Sequence, residues 1–330
     1  MNGFYGTNIT PDYFIKKETE RKALKRLGIF CGTGVCLYVL IQNAISLFLQ
    51  LVGLWDNYST NTFFQIGTDI ILSFAGVLLP FVLLSFAMRK YTSVKEPLLF
   101  EKRVSKGSLV LAVVSGVGIC MAANIISSIF IGIAALFGFK LTSPEIPLPT
   151  DTAGMILTFV RTVVVAAMAE ELALRGYVLG HIREKYGDAF AVGVTAVIFA
   201  IMHGNLVQSP FALIAGAAIG YFTVKTGTLW VGIFIHMFNN FISLCSAYIL
   251  ELQGQETGAL LYTVAVYGIS FIGIICSLVF FINNKDKKLR KNQSVLSLSE
   301  KLTAYFFNIP MIIALIIMLY VTSTFVEFGW

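Results

Sequence analysis

Charged side chains are scarce in this sequence. Only 13% of its 330 residues are Asp, Glu, Lys or Arg, whereas an ordinary soluble domain has about 25%. The hydrophobic fraction is 57% and the mean hydropathy is +0.80. These values exclude an ordinary soluble domain and predict an integral membrane protein.

Several other features are missing as well. The five cysteines all fall within apolar runs and lack metal-like spacing, so neither disulfides nor thiolate ligands are predicted. A cleavable signal peptide is not expected, because the first apolar run follows a 26-residue polar segment and is too long for an h-region. Internal repeats and long linkers are also absent. We therefore expect a cytoplasmic segment over residues 1–26 and one membrane domain over residues 27–330.

Long apolar runs recur along the chain, and most reach the roughly 20 residues that a helix needs to cross the hydrocarbon. The pattern predicts an all-α, polytopic transmembrane bundle of about nine spans, of which the sixth is short enough to be tilted or re-entrant. The nine runs are Leu27–Leu54, Ile66–Met88, Leu109–Phe137, Met155–Val178, Ala189–Val207, Phe211–Val224, Leu229–Leu250, Ala259–Ile282 and Ala304–Phe325.

Basic residues alternate between the two sides of these predicted spans, although the formal net charge is +6. They precede the first span, fill the loop after the second, and follow the fourth, sixth and eighth. The remaining loops are nearly free of them. By the positive-inside rule, we expect the N-terminus in the cytoplasm and the C-terminus outside, with the protein in the cell membrane. The predicted partners are the lipid bilayer and a membrane-associated substrate, with no nucleic acid. The basic residues are Lys16, Lys17, Arg21, Lys22, Lys25 and Arg26, then Arg89, Lys90, Lys95, Lys102, Arg103 and Lys106, then Arg183 and Lys185, then Lys225, then Lys285, Lys287, Lys288, Arg290 and Lys291.

Two adjacent carboxylates stand out against the apolar background. Glu170 and Glu171 lie in the fourth run, and Arg175 follows four residues after Glu171. A charge facing lipid at mid-membrane costs roughly 2.5 to 3.5 kcal/mol, so these groups must face a polar interior. They are therefore candidates for a functional site.

The fourth and fifth helices are predicted to form a hairpin around Gly187. Glu170 lies 17 residues before this glycine and His203 lies 16 residues after it. At a rise of about 1.5 Å per residue, the carboxylate and the imidazole reach a similar depth. His236 and Asn240 lie one turn apart on the face of the seventh helix.

These residues have the chemistry needed to hydrolyse an amide without a covalent intermediate. A carboxylate can take a proton from water, an imidazole can assist it, and a His/Asn pair can stabilise an oxyanion. Each residue also has a structural alternative. Glu171 and Arg175 could simply neutralise one another, while His203 and Asn240 could bridge helices. Buried Glu and His residues could instead form the proton relay of a coupled transporter.

Two other polar residues are harder to place. His181 lies beside Arg183 and Glu184, so a solvated and non-catalytic histidine is expected there. Arg161 lies in an apolar stretch, where it could reach outward or pair with an acceptor that the sequence does not identify.

Three motifs in this order resemble those of the CPBP intramembrane proteases, a family that includes type II CAAX prenyl proteases and proteins linked to bacteriocin processing and self-immunity. The motifs are Glu-Glu-Leu-Ala-Leu-Arg-Gly (Glu170–Gly176), Phe-Ala-Ile-Met-His-Gly-Asn (Phe199–Asn205) and His-Met-Phe-Asn-Asn (His236–Asn240). The resemblance covers about a quarter of the chain and implies a protease-like core at about 155–250. It implies eight core helices, one fewer than the nine predicted here.

The resemblance also implies roles for individual residues. Glu170 would be the base that activates water, assisted by His203, while His236 and Asn240 would stabilise the oxyanion. Glu171 and Arg175 would support the site. Zinc or another divalent metal is compatible with two histidines and a carboxylate, yet no His-Glu-x-x-His helix is present and activated water needs no metal. No cofactor is therefore predicted, and the sequence does not identify the substrate.

Overall fold

The computed structural model describes residues 11–90, 92, 104–144 and 148–329. Residues 1–10 of the predicted cytoplasmic segment, and the basic residues Lys95, Lys102 and Arg103 of the second loop, lie outside the described residues.

The described chain is almost entirely helical, and the all-α polytopic bundle is confirmed. In chain order the helices are α1 (Pro11–Leu51), α2 (Trp55–Thr60), α3 (Thr62–Met88), α4 (Lys106–Leu136), α5 (Thr152–Tyr186), α6 (Asp188–Met202), α7 (Ser209–Thr226), α8 (Leu229–Gln253), α9 (Gln255–Asn283), α10 (Leu298–Phe306) and α11 (Ile309–Ser323). The strands β1 (Phe139–Leu141) and β2 (Val326–Phe328) pair antiparallel, with Lys140 opposite Glu327.

Within the described ranges, six helices are long and apolar enough to cross a membrane, namely α1, α3, α4, α5, α8 and α9. A seventh span results if α10 and α11, which meet at a bend of 76°, are counted as one. Helix α6 has only 15 residues. The predicted count of nine spans thus stays a prediction, although an apolar helix stands at each of the nine runs. Helix α1 runs without a break from Pro11 to Leu51, so residues 11–26 of the predicted polar segment and the first span belong to the same helix.

Large apolar side chains cover much of the outer surface of the bundle. Leu40 is 62% exposed, Phe86 is 58% exposed and Phe271 is 65% exposed. In water such a surface would drive aggregation, whereas in a bilayer it contacts acyl chains. The distribution is that of a multi-pass membrane protein.

Two buried clusters of apolar side chains hold the bundle together. One joins α1, α3, α5, α6, α10 and α11 and includes part of α7, and the other joins α4, α7, α8 and α9. Small residues allow close helix contacts in both. A Cβ on Gly118 of α4 would lie 2.4 Å from the Cα of Gly273 on α9, so these two backbones touch. The candidate site lies where α5 and α6 of the first cluster meet α8 of the second.

The α5–α6 hairpin predicted around Gly187 is present. Gly187 has φ of +84°, a backbone conformation that L side chains rarely adopt, and it ends α5. Asp188 then accepts a hydrogen bond from Arg183 Nε at 2.7 Å and another from the Arg290 backbone N–H at 2.7 Å. The Asp188 and Arg183 side chains are buried. Because the acceptor is a carboxylate, the segment around Arg290 is tied to the hairpin by a charge-assisted bond.

Candidate active site

The adjacent glutamates of α5 have different environments. Neighbouring residues on a helix point about 100° apart. The Glu171 side chain is fully buried, whereas the Glu170 side chain is 27% exposed and lines the main cavity. Only Glu170 is therefore positioned to meet a molecule that enters the protein.

Glu171 lies at the centre of a buried hydrogen-bond network. Its Oε1 accepts from Arg175 Nη1 at 2.9 Å and from His236 Nδ1 at 2.9 Å. Arg175 is itself fully buried and donates through Nη2 to the Gly216 carbonyl at 3.0 Å. This carbonyl is reachable because Gly216 has no side chain where α7 packs on α6. The network thus ties α5 to both α7 and α8.

Arg175 lies in a π-helical stretch of α5, Leu172–Val178. Such stretches are rare and often occur at functional sites. The guanidinium carbon lies 4.5 Å from the centre of the Phe199 ring, so a cation–π contact adds to its hydrogen bonds. The residue is therefore held by groups on three helices.

His236 of α8 lies between the two glutamates. Since a carboxylate only accepts hydrogen bonds, the contact with Glu171 requires a proton on His236 Nδ1. The opposite nitrogen, Nε2, lies 3.8 Å from Glu170 Oε2 and borders the cavity. Glu171 thus sets the orientation of the imidazole, and Nε2 faces the cavity.

His203 directly follows α6, which ends at Met202, and the next residue, Gly204, has φ of +63°. Its Nδ1–H donates to the Phe199 carbonyl at 2.8 Å, so in the neutral ring Nε2 carries the lone pair. The Phe199 ring packs edge-on against both imidazoles, at centroid distances of 4.6 Å to His203 and 5.7 Å to His236. This aromatic contact fixes the two rings beside one cavity.

Asn240 lies one turn beyond His236 on the same face of α8. Its Nδ2 donates to the Thr162 carbonyl at 2.9 Å, and its Oδ1 accepts from Asn239 Nδ2 at 3.2 Å. Thr162 belongs to a second π-helical stretch of α5, Val160–Val165. One N–H of the Asn240 amide group therefore remains for another acceptor, since the group carries two.

A single cavity of about 1120 Å³ brings these residues together. Glu170, His203, His236 and Asn240 all line it, while apolar side chains such as Leu174, Met202 and Phe211 form other parts of its wall. Glu171 and Arg175 lie behind the wall. The space is large enough for a peptide segment.

A zinc ion bound by two histidines and a carboxylate would need those donors close together. In the described part of the chain, no three His, Cys, Asp or Glu side chains are grouped closely enough to hold a metal ion. Both histidines of the cavity use Nδ1 to bind protein acceptors, which leaves Nε2 of each ring for a further partner. Histidine ligands of zinc commonly have this arrangement, so metal dependence is left to experiment.

His181 differs from the sequence-based expectation. It is only 2% exposed, and its Nε2 and Nδ1 contact the hydroxyls of Ser85 at 2.9 Å and Thr92 at 3.1 Å. The expectation of a solvated ring was therefore wrong, because α3 covers this part of α5. Both ring nitrogens of His181 are bonded to hydroxyls, and the side chain does not line the cavity. We therefore assign His181 a structural role.

Arg161, which the sequence leaves without a partner, forms an ion pair with Asp69 of α3. Asp69 also accepts a hydrogen bond from the Tyr58 hydroxyl at 3.0 Å. Asp69 and Arg161 are 92 residues apart, and no helical periodicity could have paired them. The contact joins α3 to the π-helical stretch that carries Thr162.

Residues 152–242 match a family model described as Type II CAAX prenyl endopeptidase Rce1-like. This range contains all three motifs and every residue assigned to the candidate site. The match bears out the family resemblance over this range, and the apolar helices make the chain a multi-pass membrane protein. Neither the search of curated proteins nor that of solved structures found a match.

Proposed function

We propose that this protein is an intramembrane endopeptidase that uses water, activated by Glu170, to cleave a membrane-associated peptide or protein. The observation that carries the proposal is the arrangement of Glu170 beside His236, in a cavity that His203 and Asn240 also line. The Rce1-like match at residues 152–242 supports the same class of reaction.

In the proposed reaction, Glu170 takes a proton from a water molecule in the cavity. The lone pair on His203 Nε2 accepts a hydrogen bond from the same water and orients it. The water oxygen forms a bond to the carbonyl carbon of the substrate, and the carbonyl oxygen becomes an oxyanion. Glu170 then returns the proton to the leaving amine as the C–N bond breaks, so the products are a carboxylic acid and an amine.

The oxyanion would be stabilised by His236 and Asn240. His236 uses one proton on Nδ1 for Glu171, so it donates through Nε2 only when both ring nitrogens are protonated. We assign this doubly protonated form to the reacting state. Asn240 supplies the second donor through the N–H that the Thr162 carbonyl leaves free. A single donor of this kind contributes about 10² to 10³ in rate.

The proposed reaction needs no metal ion. Treatment with EDTA or 1,10-phenanthroline, followed by removal of the chelator, should leave kcat/KM within about twofold of the untreated protein, because Glu170 and His203 activate the water without a metal ion. The measurement is peptide cleavage by the purified full-length protein, with a zinc-dependent protease treated in parallel as a control. Loss of activity that returns on addition of Zn²⁺ would contradict the metal-free assignment.

A proton-coupled transporter is the other function suggested by buried Glu and His residues. The family match does not favour it. The two functions differ in a simple readout, since a transporter would give proton-coupled uptake in proteoliposomes without peptide turnover.

The proposed function can be tested in cells that express either the wild type or Glu170→Ala. Membrane peptides and secreted proteins are compared by mass spectrometry. The control is Glu256→Gln, which changes an exposed residue outside the cavity. We expect cleavage products in wild type and control that disappear in Glu170→Ala at equal expression. Identical peptide profiles in all three strains would count against the proposal.

A further inference from the structure

The cavity does not end at the proposed reaction centre. One face of α8 continues along it through Asn240, Ser243, Ala247 and Glu251, with successive spacings of three or four residues. Glu251 follows His236 by 15 residues. At about 1.5 Å per residue, the lined face of α8 is roughly 22 Å long. It runs toward the end of α8 that the charge pattern predicts to lie outside.

Unpartnered polar atoms border this elongated space. Asn239 and Ser127 are each 5% exposed and line the cavity. Neither Asn239 Oδ1 nor Ser127 Oγ has a hydrogen-bond partner among the described residues. Leaving such atoms buried and unpaired is unfavourable. Because both atoms have almost no exposed surface, they could bond a peptide in the cavity only after their side chains rotate.

The charged side chains of the cavity wall are acidic. The described residues that line it include the carboxylates Glu170 and Glu251 but no Lys or Arg. Glu251 is exposed at the end of α8 and forms no ion pair within the described part of the chain. A positive charge on a bound peptide would be attracted to it, and a free C-terminal carboxylate at the same place would be repelled.

We propose that the cavity binds an extended peptide segment whose positively charged group, a Lys or Arg side chain or a free N-terminus, pairs with Glu251. This inference rests on the proposed hydrolysis at Glu170. An extended chain advances about 3.3 Å per residue, so a length of roughly 22 Å corresponds to about six or seven residues. The preferred substrate thus carries a cation about six or seven residues from the scissile bond.

The test uses the full-length protein in lipid nanodiscs and a peptide whose Glu170-dependent cleavage site has been located by mass spectrometry. A single Lys replaces norleucine at successive positions on either side of that site. We expect KM to fall about threefold to fivefold when Lys lies about six or seven residues away, with kcat unchanged, because a partly exposed ion pair stabilises binding only modestly. Added salt should shrink the effect.

Substitutions at Glu251 identify the group responsible. Glu251→Gln should remove the preference for Lys, and Glu251→Lys should reverse it toward a peptide with Glu at that position. Glu256→Gln, a matched change on the neighbouring helix α9, should retain the wild-type preference. A flat profile along the peptide, or a Lys preference that persists in Glu251→Gln, overturns the inference.

Binding separates this inference from the proposed function. Fluorescence anisotropy with labelled Lys and norleucine peptides is measured on Glu170→Gln, in which no hydrolysis is expected. Tighter binding of the Lys peptide that is lost in Glu170→Gln/Glu251→Gln supports the cation site. Equal affinity for the two peptides contradicts it. Absence of cleavage by the wild type, with the binding preference intact, contradicts only the proposed hydrolysis.

Discussion

Glu170→Gln should reduce kcat for peptide cleavage by about 10² to 10⁴, the range that a positioned general base contributes. Glutamine keeps the shape of the side chain but cannot take a proton from water. The fold should be unaffected, because Glu170 faces the cavity and its nearest charged contact, His236 Nε2, is 3.8 Å away. The measurements are steady-state kinetics and thermal unfolding of the purified protein.

A matched substitution makes this result specific. Glu256→Gln removes one carboxylate from an exposed position outside the cavity and should leave kcat unchanged. Glu170→Asp keeps a base but shortens the side chain by one methylene, so it should retain part of the activity. Full activity in Glu170→Gln would show that another group activates the water.

The site was partly predictable because its residues lie on helices with short spacings. The depth argument around Gly187 puts Glu170 and His203 beside one cavity, and both line it. The one-turn spacing of His236 and Asn240 likewise puts both side chains on the cavity face of α8. These relations depend only on helix geometry, which sequence periodicity reports well.

The contacts that cross between helices were not predictable in this way. Glu171 and His236 are 65 residues apart, and nothing in either motif specifies which nitrogen the carboxylate binds. The sequence suggested only that Arg175 neutralises Glu171. In the structure the same oxygen accepts from both residues, so Glu171 connects the ion pair to an imidazole of the cavity.

The fold shows a similar division. Apolar runs locate the helices because hydrophobicity reports burial and lipid contact directly. Their lengths are less certain, since α6 has 15 residues and α1 extends to Pro11, well before the first apolar run. The π-helical stretches, two in α5 and one in α3 at Ser73–Leu78, have no sequence pattern that predicts them. His181 was misjudged for the same reason, since only the tertiary contact with α3 buries it.

Arg175→Met should destabilise the protein by roughly 3 to 5 kcal/mol, the usual cost of removing one partner from a buried ion pair. Both side chains of the Glu171–Arg175 pair are fully buried, and the substitution leaves Glu171 with His236 as its remaining partner. It also removes the donor to the Gly216 carbonyl. The measurement is thermal or denaturant unfolding of the purified protein in detergent, and Arg21→Met on the exposed Glu18–Arg21 pair is the matched control. The control should lose little stability, because the pair is exposed to solvent.

The double variant Glu171→Met/Arg175→Met distinguishes stability from activity. Replacing both members of a buried pair by apolar residues of similar volume is often neutral, so we expect the double variant to recover most of the stability lost in Arg175→Met. Activity should not recover, because the Nδ1–H of His236 has lost its acceptor and the imidazole is no longer held. If the double variant regained both stability and cleavage, Glu171 would be only a partner for Arg175. Recovery of stability alone would identify it as the residue that positions His236.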